Sequence, residues 1–168
     1  VLTLPEGTAT VKDEAFSGMM ALRAVILPEG IRTIGARAFY SCSYLEWVRF
    51  DEGLLSIDEY AFSACDLLVS LAFPDSVQSI GKSAFAQCTS LLRVTLGRSL
   101  VSIGDYAFVD CLKLCEVFVC RTHDVGQGRI ATVSLYRVCS VELIAICHDA
   151  SHRTPSGLCI CQLNVIPK

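Results

Sequence analysis

Ala15-Phe16, Ala38-Phe39, Ala61-Phe62, Ala84-Phe85 and Ala107-Phe108 follow one another at a spacing of 23 residues, with no insertion or deletion between them. A fixed period of this length restricts the fold severely. Each copy is too small to bury its own apolar side, so the copies must stack and bury it against one another.

Further columns keep the same step. Val11, Ile34, Ile57, Ile80 and Ile103 precede the Ala-Phe pair, and Met19, Cys42, Cys65, Cys88 and Cys111 follow it. Leu22, Leu45, Leu68, Leu91 and Leu114 come next, each followed three residues on by Val25, Val48, Leu71, Val94 or Val117, and two residues later by Leu27, Phe50, Phe73, Leu96 or Val119. One chemistry per column is the mark of side chains that share a close-packed core. Between the columns stand Pro5-Glu6-Gly7, Pro28-Glu29-Gly30, Asp51-Glu52-Gly53 and Pro74-Asp75-Ser76, where proline fixes φ and glycine permits positive φ. The chain is expected to turn there and begin the next coil.

Local structure follows from the alternation. Val25 and Leu27 fall on one face of an extended segment and Ala24 and Ile26 on the other, so a short strand is expected. Repetition predicts a parallel sheet with strands about 4.8 Å apart, centred near Leu4, Ile26, Arg49, Ala72, Thr95 and Phe118. The Val-x-x-Ile-Gly stretch returns along the opposite wall, and Gly35, Gly81 and Gly104 are assigned positive φ, with Asp58 as a tolerated substitute. Short helical or 3-10 turns are expected to join the walls of a right-handed coil. The phenylalanine column reads as a core spine with a small alanine beside each ring. The cysteine column could form a disulfide or metal ladder, but thiols pointing the same way from stacked coils suit burial as small hydrophobes better than disulfide geometry.

The period lies within the 20 to 29 residues of leucine-rich repeats, and Ile34-Gly35-x-x-Ala38-Phe39-x-x-Cys42-x-x-Leu45-x-x-Val48 resembles the BspA-type leucine-rich repeat, as do its copies through Val117. The resemblance covers residues 2 to 119; it departs at Gly18-Met19 in the first copy and stops after Val119. It implies a leucine-rich-repeat solenoid with no shared catalytic residues. It further implies a cell-surface or secreted protein-binding or adhesion module. Residues 1–120 are assigned to a solenoid of about five coils, and 121–168 to a non-repeat tail that is either a C-terminal cap or disordered.

Function is sought on the outward strand positions, because these vary where the core columns do not. Val1, Ala24, Trp47, Ser70, Arg93 and Glu116 form one such column; Thr3, Ile26, Arg49, Ala72, Thr95 and Phe118 form the next. Trp47 is the only tryptophan, and it would stand on a concave sheet beside Arg49 with small Ala24 and Ser70 on either side. Tryptophan and arginine are the types most enriched at interface hot spots. Trp47, Arg49, Glu46, Arg93, Ile26 and Glu116 are therefore the candidate binding residues. A structural spacer, in which Trp47 only covers the sheet or packs on another domain, is the alternative.

Charge narrows the partner. The 168 residues are 52% hydrophobic and 18% charged with a formal net charge of −3, which offers no basic footprint for nucleic acid. Residues 1 to 120 hold 14 acids and 9 bases, a net of −5, and the remainder 3 acids and 5 bases, a net of +2. Arg137 and Glu142 interrupt the most apolar stretch, Ile130 to Cys147, so no membrane-spanning segment is expected. A protein ligand is the expected partner. The repeat already running at Val1 reads as part of a longer protein.

Cys147-His148, His152 and Cys159-Ile160-Cys161 carry zinc-ligand side chains, and a catalytic Cys/His pair could be drawn from the same set. The Cys-x-Cys spacing is tighter than that of usual zinc sites, and Ser151, Pro155, Ser156 and Gly157 fall between the pairs. Gly126-Gln127-Gly128 lacks the third glycine of a phosphate-binding loop. No metal, cofactor or catalytic residue is assigned.

Overall fold

The computed structural model describes residues 1–125 and 128–137, with side chains as far as Phe118. Two walls of short strands alternate along the chain: β1 (Leu2–Thr3), β2 (Thr10–Val11), β3 (Ala24–Ile26), β4 (Thr33–Ile34), β5 (Trp47–Arg49), β6 (Ser56–Ile57), β7 (Ser70–Ala72), β8 (Ser79–Ile80), β9 (Arg93–Leu96) and β10 (Ser102–Ile103). The even-numbered strands form one parallel sheet of five, in the order β10-β8-β6-β4-β2. Registers such as Ile34↔Ile57 and Val25↔Val48 carry the 23-residue step directly into space. The fold is a parallel-strand leucine-rich-repeat solenoid of about five turns.

The odd-numbered wall is not one continuous sheet. β1, β3 and β5 form a three-stranded sheet. β7 and β9 continue into β11 (Glu116–Val125), which pairs antiparallel with β12 (Gly128–Arg137). The ladder opens between β5 and β7. Phe50 and Phe73 occupy adjacent coils of the column that Leu27 and Leu96 fill elsewhere, and their rings stack at 5.4 Å between centroids. This aromatic pair packs in the core beside the opening. Val48, which fills a core column, is only half-buried at this opening.

The core lies between the walls. Phe39, Phe62, Phe85 and Phe108 are fully buried, and from Phe16 onward the rings stack with centroids 5.2, 4.9, 5.3 and 5.5 Å apart. Phe16 is only partly buried and Met19 is exposed, because the first coil has a neighbour on one side only. Cys42, Cys65, Cys88 and Cys111 are buried and unpaired.

Two expectations need correction. The segments joining the walls contain no helix among the described residues; they are ribbons of overlapping turns. Within one ribbon the N–H groups of Ala38, Tyr40 and Cys42 donate to Gly35, Arg37 and Phe39 in the same coil, while those of Arg37, Phe39 and Ser41 donate to Glu59, Ala61 and Ser63 in the next. Arg37 at φ 54° and Ser41 at φ 57° repeat at Tyr60 and Ala64, Ser83 and Gln87, and Tyr106 and Asp110. A left-handed residue twice per ribbon turns alternate N–H groups outward and prevents helix propagation.

The second correction concerns Gly35, Gly81 and Gly104, which do not have positive φ; that conformation falls instead on Gly7, Gly18, Gly30 and Gly53. The glycines after the isoleucine column are required by close approach. A Cβ on Gly104 would stand 2.5 Å from the Lys82 nitrogen and 2.6 Å from the Gly81 carbonyl carbon of the preceding coil.

Candidate functional site

The candidate residues lie on the odd-numbered wall, the strand face, and most are in register or paired with the coil next to them. Trp47 opens β5 in register with Ala24 and is 42% exposed. Ala24, expected on the outward face, is buried: a methyl in register with an indole lies beneath its neighbours. Glu46 accepts from Arg23 at 2.8 Å, and Arg93 donates to Glu116 at 2.6 Å. Both pairs join residues 23 apart. Arg49 turns along its own strand to Asp51 at 3.3 Å.

These side chains form three groups rather than one patch. Trp47 and Glu46 stand at the starts of the strands. Ile26 is half-buried and in register with Arg49, and the two line an open groove of about 630 Å³ near the strand ends, with Leu4 and Pro28 as its apolar surface and Glu6, Glu29 and Asp51 as acidic neighbours. Arg93 and Glu116 lie further along the stack, where the Arg93 guanidinium also sits 5.6 Å from the centre of the Phe118 ring.

Around Trp47 the structure adds residues that the outward strand columns do not contain. Tyr44, Leu67, Val69 and Leu92, together with Trp47, are between 39% and 47% exposed. Backbone bonds stack them coil upon coil: Glu46 N donates to Arg23 O, Val69 N to Glu46 O and Leu92 N to Val69 O. Tyr44 is fixed by Arg23, whose guanidinium lies 5.6 Å from the ring centre while paired to Glu46. The sequence holds a signal for two of these residues. Leu68-Val69 and Leu91-Leu92 are consecutive apolar pairs, and since the leucine of the column points inward the residue after it must point out.

The thiol column is built differently from any of these surfaces. Cys42, Cys65, Cys88 and Cys111 donate to the carbonyl oxygens of Phe16, Phe39, Phe62 and Phe85 at 3.2, 3.4, 3.3 and 3.2 Å, each reaching back one coil. Burial pushes the Cys42 and Cys65 thiols up. A hydrogen bond with Cys111, together with burial, does the same for Cys88. On the even-numbered wall, burial followed by repulsion from Asp13 and Glu59 raises the Asp58 carboxyl.

The sequence profile of the BspA type leucine rich repeat region matches this chain in six copies across residues 2–127. The chain belongs to that family. Among solved structures it is similar to a T. pallidum leucine rich repeat protein, at 38% identity over 69% of this chain and 56% of that one, with a TM-score of 0.67. It is also similar to a leucine rich cell surface protein from Faecalibacterium prausnitzii, at 29% identity over 70% of this chain and 31% of that one, TM-score 0.68. A Bacteroides ovatus leucine-rich repeat protein matches at 29% identity over 69% of this chain and 32% of that one, TM-score 0.65. The chain thus spans about half or less of the length of these relatives. No curated protein matches it.

As a BspA-type repeat, the chain uses its phenylalanine, cysteine and leucine columns for the scaffold and leaves the strand face to vary. Among the described residues no group of three or more His, Cys, Asp or Glu is placed to hold a metal ion, and no helix is long and apolar enough to cross a membrane. Cys147, His148, His152, Cys159 and Cys161 lie outside the described residues, as do Gly126 and Gln127.

Proposed function

We propose that this chain is a protein-binding module whose ligand seats on the strand face around Trp47. The observation that carries the reading is the exposed run Tyr44, Trp47, Leu67, Val69 and Leu92, bordered by the Arg23–Glu46 and Arg93–Glu116 pairs. An apolar centre with a polar, charged margin is the anatomy of an interface. The scaffold beneath supports it, since the columns that fix the fold do not include these positions and the surface can change without unpacking the core. Arg49 and Ile26, in the adjoining groove, are assigned to the margin of the same contact. A cell-surface setting and a role in adhesion belong to this proposal and draw support from the cell-surface description of the F. prausnitzii relative. Within it, the start of the tail serves as the terminal cap, supported by β12 running antiparallel along the edge of β11 and so ending the parallel stack; residues 138–168 lie outside the described residues.

The test is binding of the purified chain and its Trp47→Ala variant to immobilised extracellular matrix and host surface proteins, read by surface plasmon resonance. Loss of about 2 kcal/mol or more, the scale of a hot spot, is expected with folding unchanged. Equal binding by the variant defeats the site and favours a spacer role.

A further inference from the structure

The coil spacing of the solenoid restricts what can lie on the apolar run. The coils repeat at the parallel strand spacing of about 4.8 Å, and the core rings of Phe39, Phe62 and Phe85 keep a similar step, with centroids 4.9 and 5.3 Å apart. The run places Tyr44 and Trp47 on the first of three consecutive coils, Leu67 and Val69 on the second and Leu92 on the third. A ligand lying along the stack must present one apolar side chain per coil at that interval. An α-helix does so, because its pitch is about 5.4 Å and seven residues advance about 10.5 Å, which matches two coil steps. An extended segment does not, since alternate residues on one face lie about 6.6 Å apart and two such steps overshoot by about 3 Å.

The charges restrict the ligand further. Arg23 and Arg93 flank the run, and each already meets a carboxylate 23 residues on, Glu46 at 2.8 Å and Glu116 at 2.6 Å. Neither guanidinium faces the run as an unmatched charge: Glu46, which shares the column of Val69 and Leu92, and Arg93, which follows Leu92, are each held in one of these two pairs. Resting on the proposed protein-binding role, we infer that the run is the seat of an amphipathic α-helix of a partner protein, lying along the solenoid axis with an uncharged apolar stripe at positions i, i+3 or i+4, and i+7. Apolar contact without charge complementarity predicts binding that salt barely alters.

Trp47 is the only tryptophan in the chain and reports directly on the run. The probe is an alanine-rich peptide of about 16 residues, long enough for measurable helicity, free of tryptophan, with leucines at i, i+4 and i+7 and balanced Glu and Lys on the other side. Its counterpart has the same composition with leucines at alternate positions. Titration of the full chain is followed through Trp47 emission. The helical peptide is expected to shift emission to shorter wavelength and saturate, with affinity changing less than about threefold between about 0.05 and about 0.5 M NaCl. Val69→Asp and Leu92→Asp should each weaken it by about tenfold or more, while Gln78→Asp on the opposite wall leaves it unchanged; far-UV circular dichroism checks that all three remain folded.

Preference for the alternating peptide with the same sensitivity to Val69→Asp overturns the helix and leaves the binding site standing. Emission that shifts with protein concentration alone makes the occupant a second copy of this chain and also overturns it. Binding that falls steeply with salt refutes the uncharged stripe. Indifference of both peptides to Val69→Asp and Leu92→Asp removes the helix and the proposed site together.

Discussion

The sulfur of Cys65 lies 3.4 Å from the carbonyl oxygen of Phe39 in the preceding coil, and that oxygen also accepts from the Cys42 amide at 3.3 Å. Both lone pairs of a buried carbonyl are thus used, one within the coil and one between coils. Because burial raises the Cys65 thiol, the thiolate that reacts with alkylating reagents is scarce at neutral pH. Peptide mapping after brief native alkylation should find Cys42, Cys65, Cys88 and Cys111 unmodified and the exposed Cys115 modified; denaturation should expose all five. Fast native labelling of Cys65 contradicts the ladder.

Phe62 is fully buried between Phe39 and Phe85 and meets Phe50 edge-on at 5.9 Å. Phe62→Ala should cost about 3 to 5 kcal/mol, read from urea unfolding followed by circular dichroism. In a stack stabilised only between neighbours that is a large share of the total, and a loss under about 1 kcal/mol is incompatible with the spine.

Gln87 is exposed at φ 60°, where the first coil has Gly18 at φ 70°. Gln87→Gly should hold or raise the melting temperature, since the left-handed region costs an L-residue about 1 kcal/mol that glycine avoids. Gln87→Val should lower it, a β-branched side chain being disfavoured there. Calorimetry giving the reverse order contradicts the alternating turn ribbon.

Asp58 titrates above the usual carboxylate range, by burial first and then by the charges of Asp13 and Glu59. The folded state therefore holds this proton more tightly than the unfolded state, and stability falls as pH rises from the unfolded value through the raised one. Asp58→Asn removes the penalty: its melting temperature should exceed the parent's at pH 7, and the gain should vanish below about pH 4, where the parent carboxyl is protonated in both states. A gain independent of pH points to packing rather than charge.

Most of the scaffold is legible in the columns, because a residue repeated at 23-residue steps has one environment, and Phe39, Phe62, Phe85 and Phe108 occupy one line as that periodicity requires. Backbone conformation is less legible. Gly104 and Gly53 look alike in sequence, yet one is required by a neighbouring coil 2.5 Å away and the other by φ 104°, and only three-dimensional proximity separates them. The surface is partly legible: Trp47 and Glu46 stand out by composition, whereas grouping them with Leu67 and Leu92 depends on which member of each apolar pair the core takes. The opening between β5 and β7 has no counterpart in the columns, which run through Val48 and Leu71 without a break.

Every strand register in the two parallel walls, from Leu2↔Val25 to Ser102↔Ser79, joins residues separated by the same 23-residue step, and so do the Arg23–Glu46, Arg37–Glu14, Arg93–Glu116 and Arg98–Asp75 pairs. A gene encoding such a chain can lose or duplicate one whole unit by unequal recombination, and the strand register and core columns still close while the outward charges meet new neighbours. Length thus becomes a heritable variable nearly independent of foldability, and a lineage can lengthen or shorten its outer surface without redesigning the interior.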